Sequence, residues 1–412
     1  MSAFSIPLSG LEATSSSLNT IANNLANLNT DGYKDQSLDF TDVFNQVLGT
    51  SGNGDPIQTG SGVQVDGTSA NFTNGALSST GVASNLALQG NGFFVVQNGS
   101  QTAYTRAGDF TVNSSGQLST PDGKLVMGYP AVDGVVSTSS ALSPITIDQA
   151  TTIPAVATTS FSANTNLDSS AGVGATFSTP ITVYDSLGAS QELTINYTNT
   201  ATNTWGYSIT LPGAATGVAN PTTIASGTMS FNSSGQLTSP TGSITGINIT
   251  GLADGAASMK MSWNLNGTGT TPIITQEDST SVTAATNQNG YGVGTLASYS
   301  VLPDGTVQGQ FSNNQTLALG QVAIASFSNV QGLTQTGSSS YQATFASGSA
   351  VVGQAGAGGN GTITGGSVEG SNVDLSTEFS NMIIAQQGYE ANAKVLTTFD
   401  QISQATVQML AT

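Results

Sequence analysis

Histidine and cysteine are both absent from this chain, and its 412 residues hold only five cations: Lys34, Lys124, Lys260, Lys394 and Arg106. Without histidine there is no side chain that titrates near neutrality of its own accord. Without cysteine there is no thiol nucleophile, no disulfide and no His/Cys metal site. Acidic residues number 23, so the formal net charge is −18. The charged fraction is 7%, where about a quarter is usual for a soluble domain. Five scattered cations do not neutralise a phosphate backbone or an anionic lipid surface, which argues against nucleic-acid and membrane-surface partners. No apolar run approaches the roughly 18 residues of a transmembrane helix, so membrane insertion is not expected. No basic residue precedes Lys34 and no continuous apolar stretch follows Met1, so no cleavable signal peptide is expected either.

What is present is a polar chain with 50 glycines, helical at its ends and β-structured between them. Leu11, Thr14, Leu18, Ile21, Leu25 and Leu28 step by 3, 4, 3, 4, 3, a heptad seam with one polar member. Leu375, Phe379, Met382, Gln386, Tyr389, Ala393 and Leu396 keep the same rhythm near the C-terminus, with Ile383 beside them. Phe399, Ile402 and Met409 continue that stripe after a phase shift. Asp374 and Glu378 suit the start of the second helix, and Asn29-Thr30-Asp31-Gly32 the end of the first. Neither helix has the charged outer face that normally solvates a surface helix. A helix of about 20 such residues is marginal alone in water, so burial against other copies of the chain is the expected completion. On that reading Lys34 and Lys394 lie in terminal segments that order only in the assembly.

Between the ends the period is two. Met259, Met261, Trp263 and Leu265 alternate with polar residues, as do Leu193, Ile195, Tyr197 and Tyr207, Ile209, Leu211. Asp122-Gly123 and Asp304-Gly305 read as hairpin turns. The heptapeptides from Val112 to Leu118 and from Phe231 to Leu237 share Asn-Ser-Ser-Gly-Gln-Leu and predict two hairpins built alike. A short helix is predicted over Leu38–Leu48, from Phe40, Val43, Phe44, Val47 and Leu48. Residues 49–62 read as a loop and Gly353–Gly366 as a flexible joint.

Chemical motifs are few. Gly356-Ala357-Gly358-Gly359-Asn360-Gly361 matches G-x-G-x-x-G, but Thr362-Ile363-Thr364-Gly365-Gly366 cannot open the helix that a dinucleotide site needs. Glu277-Asp278 and Asp35/Asp39 are the tight acidic clusters, and nothing in the sequence gives either an acid–base role. No catalytic, cofactor-binding or metal-binding residue is assigned, and an enzyme is not expected.

The ends carry a stronger signal. Asn23-Asn24-Leu25-Ala26-Asn27, with Asn29-Thr30-Asp31-Gly32-Tyr33-Lys34, resembles the N-terminal signature of the axial rod and hook proteins of bacterial flagella. Leu86 to Val95, with Gly90, Gly92, Phe93 and Phe94, resembles that family's next block, as does Tyr104 to Phe110, with Arg106 and Gly108. Glu369 to Leu375, with Ser371 and Asn372, and Gln386 to Lys394, with Asn392, resemble its C-terminal signature. The chain is longer than the rod members by an insertion, which resembles that of the hook member. Ile181-Thr182-Val183-Tyr184-Asp185-Ser186-Leu187-Gly188 is similar to the hook's outer-domain block.

The resemblance implies a mainly β, multidomain chain with terminal α-helical coiled-coil segments and nested, discontinuous domains. Residues 1–32 and 370–412 would form the inner coiled-coil domain, with 33–70 and 355–369 as connecting segments. Residues 71–147 and 283–354 would form a discontinuous β domain, and 148–282 an inserted outer β domain. The helical seams would be the assembly interface of a homopolymer, a curved tube that passes torque from rod to filament as a universal joint. Rod proteins, a hook cap, hook–filament junction proteins and the flagellar export apparatus are the implied partners. The implied place is the hook, outside the cell. The alternatives are a distal-rod protein with an unusual insertion, or a secreted β-rich adhesin or polysaccharide-acting enzyme.

Overall fold

The computed structural model describes residues 4–43, 46–50, 56–267, 269 and 271–410. Met1–Asp148, Ser298–Gly309 and Thr316–Thr412 form one compact unit, and Gln149–Ala297 with Gln310–Gln315 form another.

The first unit contains both helices, α1 (Ser5–Ala26) and α2 (Leu375–Leu410). Asp374 starts α2 as the spacing predicts, its carboxylate accepting the Thr377 amide at 2.9 Å. The α1 chain leaves its helix at Asn27 and turns through Gly32, where φ is +66°. A Cβ there would lie 2.3 Å from the Ala107 nitrogen, so the turn demands glycine.

The body of this unit is an antiparallel sheet in the order Thr316–Val322, Leu125–Val132, Phe93–Asn98, Gln101–Thr105, Ser340–Gln342, Thr334–Gly337. Successive residues of a strand point to opposite faces, and Phe93 and Phe94 use both. Phe93 packs edge-to-face with Phe72, Phe327 and Tyr341, and Tyr104 with Phe327. Phe94 meets Phe110 on the other side at 5.1 Å. The chain returning toward α2 is stitched to an early segment: Thr362–Gly365 pairs with Leu86–Gln89, and Ser367–Glu369 with Leu77–Ser79. That stitching brings the two ends of the chain to one place.

Three expectations change here. Leu38–Leu48 is not a helix: Gln36–Asp42 is a strand antiparallel to Val63–Ala70, and Gln46–Thr50 is a strand paired with Pro56–Thr59. Phe44, one of the residues behind the helical expectation, lies outside the described residues. A short apolar run fits either period, and a partner strand carrying Val63 and Val65 decides for β. Of the expected loop over 49–62, Gly49, Thr50 and Pro56–Thr59 are in that second ladder, and residues 51–55 lie outside the described residues. Gly353–Gly366 is not a free joint. Gly356 N–H bonds Gly361 O at 2.8 Å, Gly361 N–H bonds Asn91 O at 2.7 Å, and Ile363 is buried in its ladder. A strand follows this glycine turn, with no helix for a nucleotide phosphate.

Two five-stranded sheets lie in the second unit. One is a meander, Thr176–Tyr184, Ser190–Ala201, Thr204–Leu211, Thr222–Phe231 and Leu237–Ser239. In the other, Ser160–Asp168 is flanked by Met259–Asn264 and Ile274–Glu277 in parallel, and by Val282–Gln288 in antiparallel. The alternation holds: Leu193, Ile195, Tyr197, Ile209, Leu211, Met259, Met261, Trp263 and Leu265 are buried in one core with Phe161 and Trp205. Asp185 is buried at the turn after its strand, accepting the Leu187 and Ala189 amides and the Gln191 side chain. The repeated heptapeptides do form like hairpins, one in each unit. Asn113 accepts the Ser115 and Gln117 amides and Asn232 those of Ser234 and Gln236, with Gly116 and Gly235 both at positive φ.

Candidate functional site

The helical ends meet in one antiparallel pair. Asn24 is level with Glu378, Thr14 with Gly388, Gly10 with Asn392, and Phe4 packs edge-to-face on Phe399 at 6.3 Å. Small residues set the spacing. A Cβ on Gly10 would lie 2.8 Å from the Asn392 amide, and one on Gly388 would lie 3.2 Å from Thr14 Cγ2. The face buried between the helices is therefore Ala13, Ile21, Asn24, Glu378 and Ala385. Large leucines are not its main component, because side chains of that bulk would hold the backbones apart.

The seam residues divide accordingly. Ile21 is buried and Leu11, Leu18 and Leu25 are half-buried on α1, and Leu28 is half-buried in the turn after it. On α2, Leu396 and Phe399 are half-buried against α1. Leu375, Phe379, Ile383, Tyr389 and Ile402 are exposed, as is Ile384 at 67%. A groove of about 670 Å³ runs between α1, α2 and the strand Gln36–Asp42, lined by Ile21, Leu38, Phe40, Val63, Ile384 and Asp35 among others.

Where the chain leaves α1 and enters α2, the signature residues form a polar knot. Asn24 is buried and donates to Asp35 Oδ1 at 2.6 Å, to Gln36 O at 2.8 Å and to Glu378 Oε2 at 3.3 Å. Its carbonyl oxygen accepts from the Tyr33 hydroxyl at 3.0 Å and the Gln36 amide at 3.1 Å. Burial raises the pKa of Asp35, and the nearby Glu378 charge raises it further. Tyr33 is pushed up to about 12 by burial and then by Asp35 and Glu378. Asn23 donates to the Tyr33 hydroxyl and Asn27 to the Asn23 carbonyl. Asn372 accepts the Asp35 amide at 2.7 Å and donates to Asn71 O at 2.7 Å, while Ser371 accepts the Val373 amide.

A second knot is ionic. Lys34 is fully buried, 2.6 Å from Glu369 Oε1, and also donates to Thr73 O at 2.8 Å. Arg106 reaches the other Glu369 oxygen at 3.5 Å, donates to Gly90 O at 2.8 Å and lies 5.3 Å above the Phe93 ring. Burial lowers the pKa of both cations, and Glu369 opposes that in each case. The expectation of an accessible Lys34 is thus overturned: the lysine is the anchor of the N-terminal segment in the β body. Gly108 and Gly92 allow the close approaches around it. A Cβ on Gly108 would lie 1.6 Å from Leu86 O, and one on Gly92 2.4 Å from Ile324 Cγ2.

Sequence reasoning placed Asn24, Tyr33, Arg106 and Asn372 by resemblance alone and missed Glu369, Asp35 and Glu378 as their partners. Asp35 had a local signal, a carboxylate beside an aromatic and a lysine. Glu369 had none, since its partners are distant in sequence. Glu277 and Asp278 lie exposed at a strand end. Among the described residues, no cluster of three or more Asp or Glu side chains is arranged to hold a metal ion, and no helix is long and apolar enough to cross a membrane.

Four family models match the chain. They are described as Flagella basal body rod protein (residues 6–34), Flagellar hook protein FlgE/F/G D1 domain (87–166), Flagellar basal body protein FlaE D2 domain (153–291) and Flagellar basal body rod FlgEFG protein C-terminal (364–409). The chain is 35% identical to the flagellar hook protein FlgE of Salmonella typhimurium, over 98% of this chain and 99% of that one. It is 34% identical to FlgE of Escherichia coli K12, over 99% and 100%, and 32% identical to FlgE of Borreliella burgdorferi, over 98% of each. In fold it is similar to the crystal structure of Helicobacter pylori flagellar hook protein FlgE2. The TM-score is 0.50 at 15% identity, over 69% of this chain and 98% of that one.

Proposed function

The chain belongs to the flagellar hook protein family and is a structural subunit of the hook, and on that premise we propose that it assembles into a homopolymeric tube. The inner wall of the tube is made by residues 1–32 and 370–412. The observation that carries this is the apolar surface of α2, where Phe379, Ile383, Ile384 and Ile402 stay at least half exposed although α1 is packed alongside. Such a surface is costly in water and is completed by other copies. Head-to-tail contacts between unlike faces need not close, and they propagate into a helical tube. Weakly charged, glycine-rich contacts suit a curved tube in which subunits slide past one another as it turns, the property of a universal joint. Rod proteins, a hook cap, hook–filament junction proteins and the export apparatus are its partners in that role, and it carries out no catalysis.

Concentrating the purified protein and imaging it by electron microscopy tests this. Tubes are expected, and Ile383→Asp, which alters an exposed residue, is expected to abolish them while far-UV circular dichroism stays unchanged. Closed rings, or tubes from the variant, count against the proposal.

A further inference from the structure

Arg106 is the less well matched cation of the ionic knot. Glu369 gives Oε1 to Lys34 at 2.6 Å and to the Gly75 amide at 2.8 Å, and meets Arg106 only through Oε2 at 3.5 Å. Charge-assisted N–H···O bonds are about 2.7–2.9 Å long, so that contact leaves most of the guanidinium charge without a close counter-charge. The other Arg106 bonds go to main-chain carbonyls, Gly90 O at 2.8 Å and Leu88 O at 3.5 Å. Its Nε is buried and has no acceptor among the described residues. No second carboxylate comes within ion-pair distance of Lys34 or Arg106 among those residues either. The three buried groups together carry one positive charge in excess, which is unfavourable away from water.

Arg106 is also the one charged residue on the wall of a cavity of about 300 Å³. Phe72, Phe93 and Phe327 give that cavity apolar surface, and Gly358 and Gly359 bring main chain without side chains to it. Both glycines belong to the Gly356–Gly361 turn. A Cβ on either would meet nothing within 4 Å, so the turn leaves open space there. One excess charge calls for a monoanion, and a planar guanidinium matches the geometry of a carboxylate. The three aromatic rings suit an apolar stem behind it.

We propose that this cavity binds one carboxylate carried on a short apolar stem, its oxygens on the Arg106 guanidinium and its stem against Phe72, Phe93 and Phe327. Free acetate or propionate has that chemistry, and so has an aspartate or glutamate side chain of a second copy. The site is in the β body, apart from the helical seams, and the proposal stands without the polymer reading.

The test is a titration of the purified protein with sodium acetate, balanced by chloride to constant ionic strength and read as the melting temperature at 222 nm. A rise of several degrees is expected, and it should saturate in the millimolar range. Ser326 also lines the cavity, and its hydroxyl donates to Val351 O at 3.4 Å, a weak bond whose loss matters little. Ser326→Asp supplies a carboxylate from the chain itself. In chloride it should melt higher than Ser326→Asn, and it should need at least about tenfold more acetate for any response. Ser326→Asn should respond to acetate as the unsubstituted chain does. A rise that never saturates and is shared by all three proteins is a general salt effect and overturns the proposal. So does a Ser326→Asp variant no more stable than Ser326→Asn. Assembly separates the two sources: acetate that raises the protein concentration needed for tubes assigns the site to a neighbour's acidic side chain, and an unchanged concentration assigns it to a free acid.

Discussion

Lys34 Nζ stands 2.6 Å from Glu369 Oε1, and neither side chain has any exposed surface. One residue closes the N-terminal segment and the other opens the return into α2, so the pair ties both ends of the chain to the β body. Arg106 makes the cluster two cations around one carboxylate. The amides of Gly75 and the backbone at Gly32 complete it: Gly75 N–H bonds Glu369 Oε1, and Gly32 N–H bonds the Glu369 carbonyl.

Glu369→Gln removes the only counter-charge of that cluster. Two buried cations are then left with neutral acceptors, and a loss of about 3–5 kcal/mol is expected. The probes separate by unit, since both helices are in the first unit and Trp205 and Trp263 are in the second. Denaturation followed at 222 nm should shift to lower denaturant. The tryptophan fluorescence transition should stay in place.

The Asn24 knot predicts a pH effect. Asp35 has its pKa raised above 3.8 by burial and then by Glu378, so the ionised form weakens the folded state. For a carboxylate of raised pKa that cost is present at neutral pH and is relieved as the pH falls through the folded-state value, above 3.8. Asp35→Asn keeps an oxygen for the Asn24 amide and removes the charge. It should be more stable than the parent at pH 7, with the difference vanishing at acidic pH in thermal melts. A difference that grows on acidification contradicts the assignment.

Asn24→Ala takes the shared donor from Asp35 and Glu378 and leaves Tyr33 without its acceptor. Unsatisfied buried polar groups cost about 1–3 kcal/mol each, so unfolding of the helical signal should come several degrees earlier. Asn24→Ala combined with Asp35→Asn should lose less than the sum of the two differences predicts, because the groups share contacts.

Gly108→Ala is expected to be among the most damaging single-methyl changes. Its Cβ would lie 1.6 Å from the Leu86 carbonyl oxygen, which itself belongs to a paired strand. Backbone has to move, and poor soluble expression or a strongly lowered melting temperature should follow. A melting temperature near that of the parent would show that the strand has slack there.

Trypsin offers five sites, and the structure ranks them. Lys34 and Arg106 are buried, Lys124 is tied to Asp122, and Lys260 is in a ladder between two strands. Lys394 is exposed on α2. Limited digestion should therefore release 395–412 first and leave 1–394, and that cut should be suppressed in the assembled tube. Early release of 1–34 would contradict the burial of Lys34.

Periodicity and turn chemistry are local, and they were legible. The heptad rows of Leu11–Leu28 and Leu375–Leu396, the alternation in Met259–Leu265, the twin Asn-Ser-Ser-Gly hairpins and the Asp374 cap all follow from neighbours a few residues apart. The signature residues were also legible, though as a pattern without its cause. Contacts across the fold decided the rest. Lys34 reads as a surface lysine until Glu369, Thr73 and Arg106 are folded around it. Leu38–Leu48 reads as a helix until Val63–Ala70 offers a ladder. The face of α2 that meets α1 is chosen by Gly10, Thr14, Ala385 and Gly388, whose small size lets two backbones approach, and so the larger side chains of α2 are left facing outward. Hydrophobicity along a chain ranks what is to be buried. Only steric fit between distant segments decides which of those groups the chain buries by itself and which it leaves for another copy.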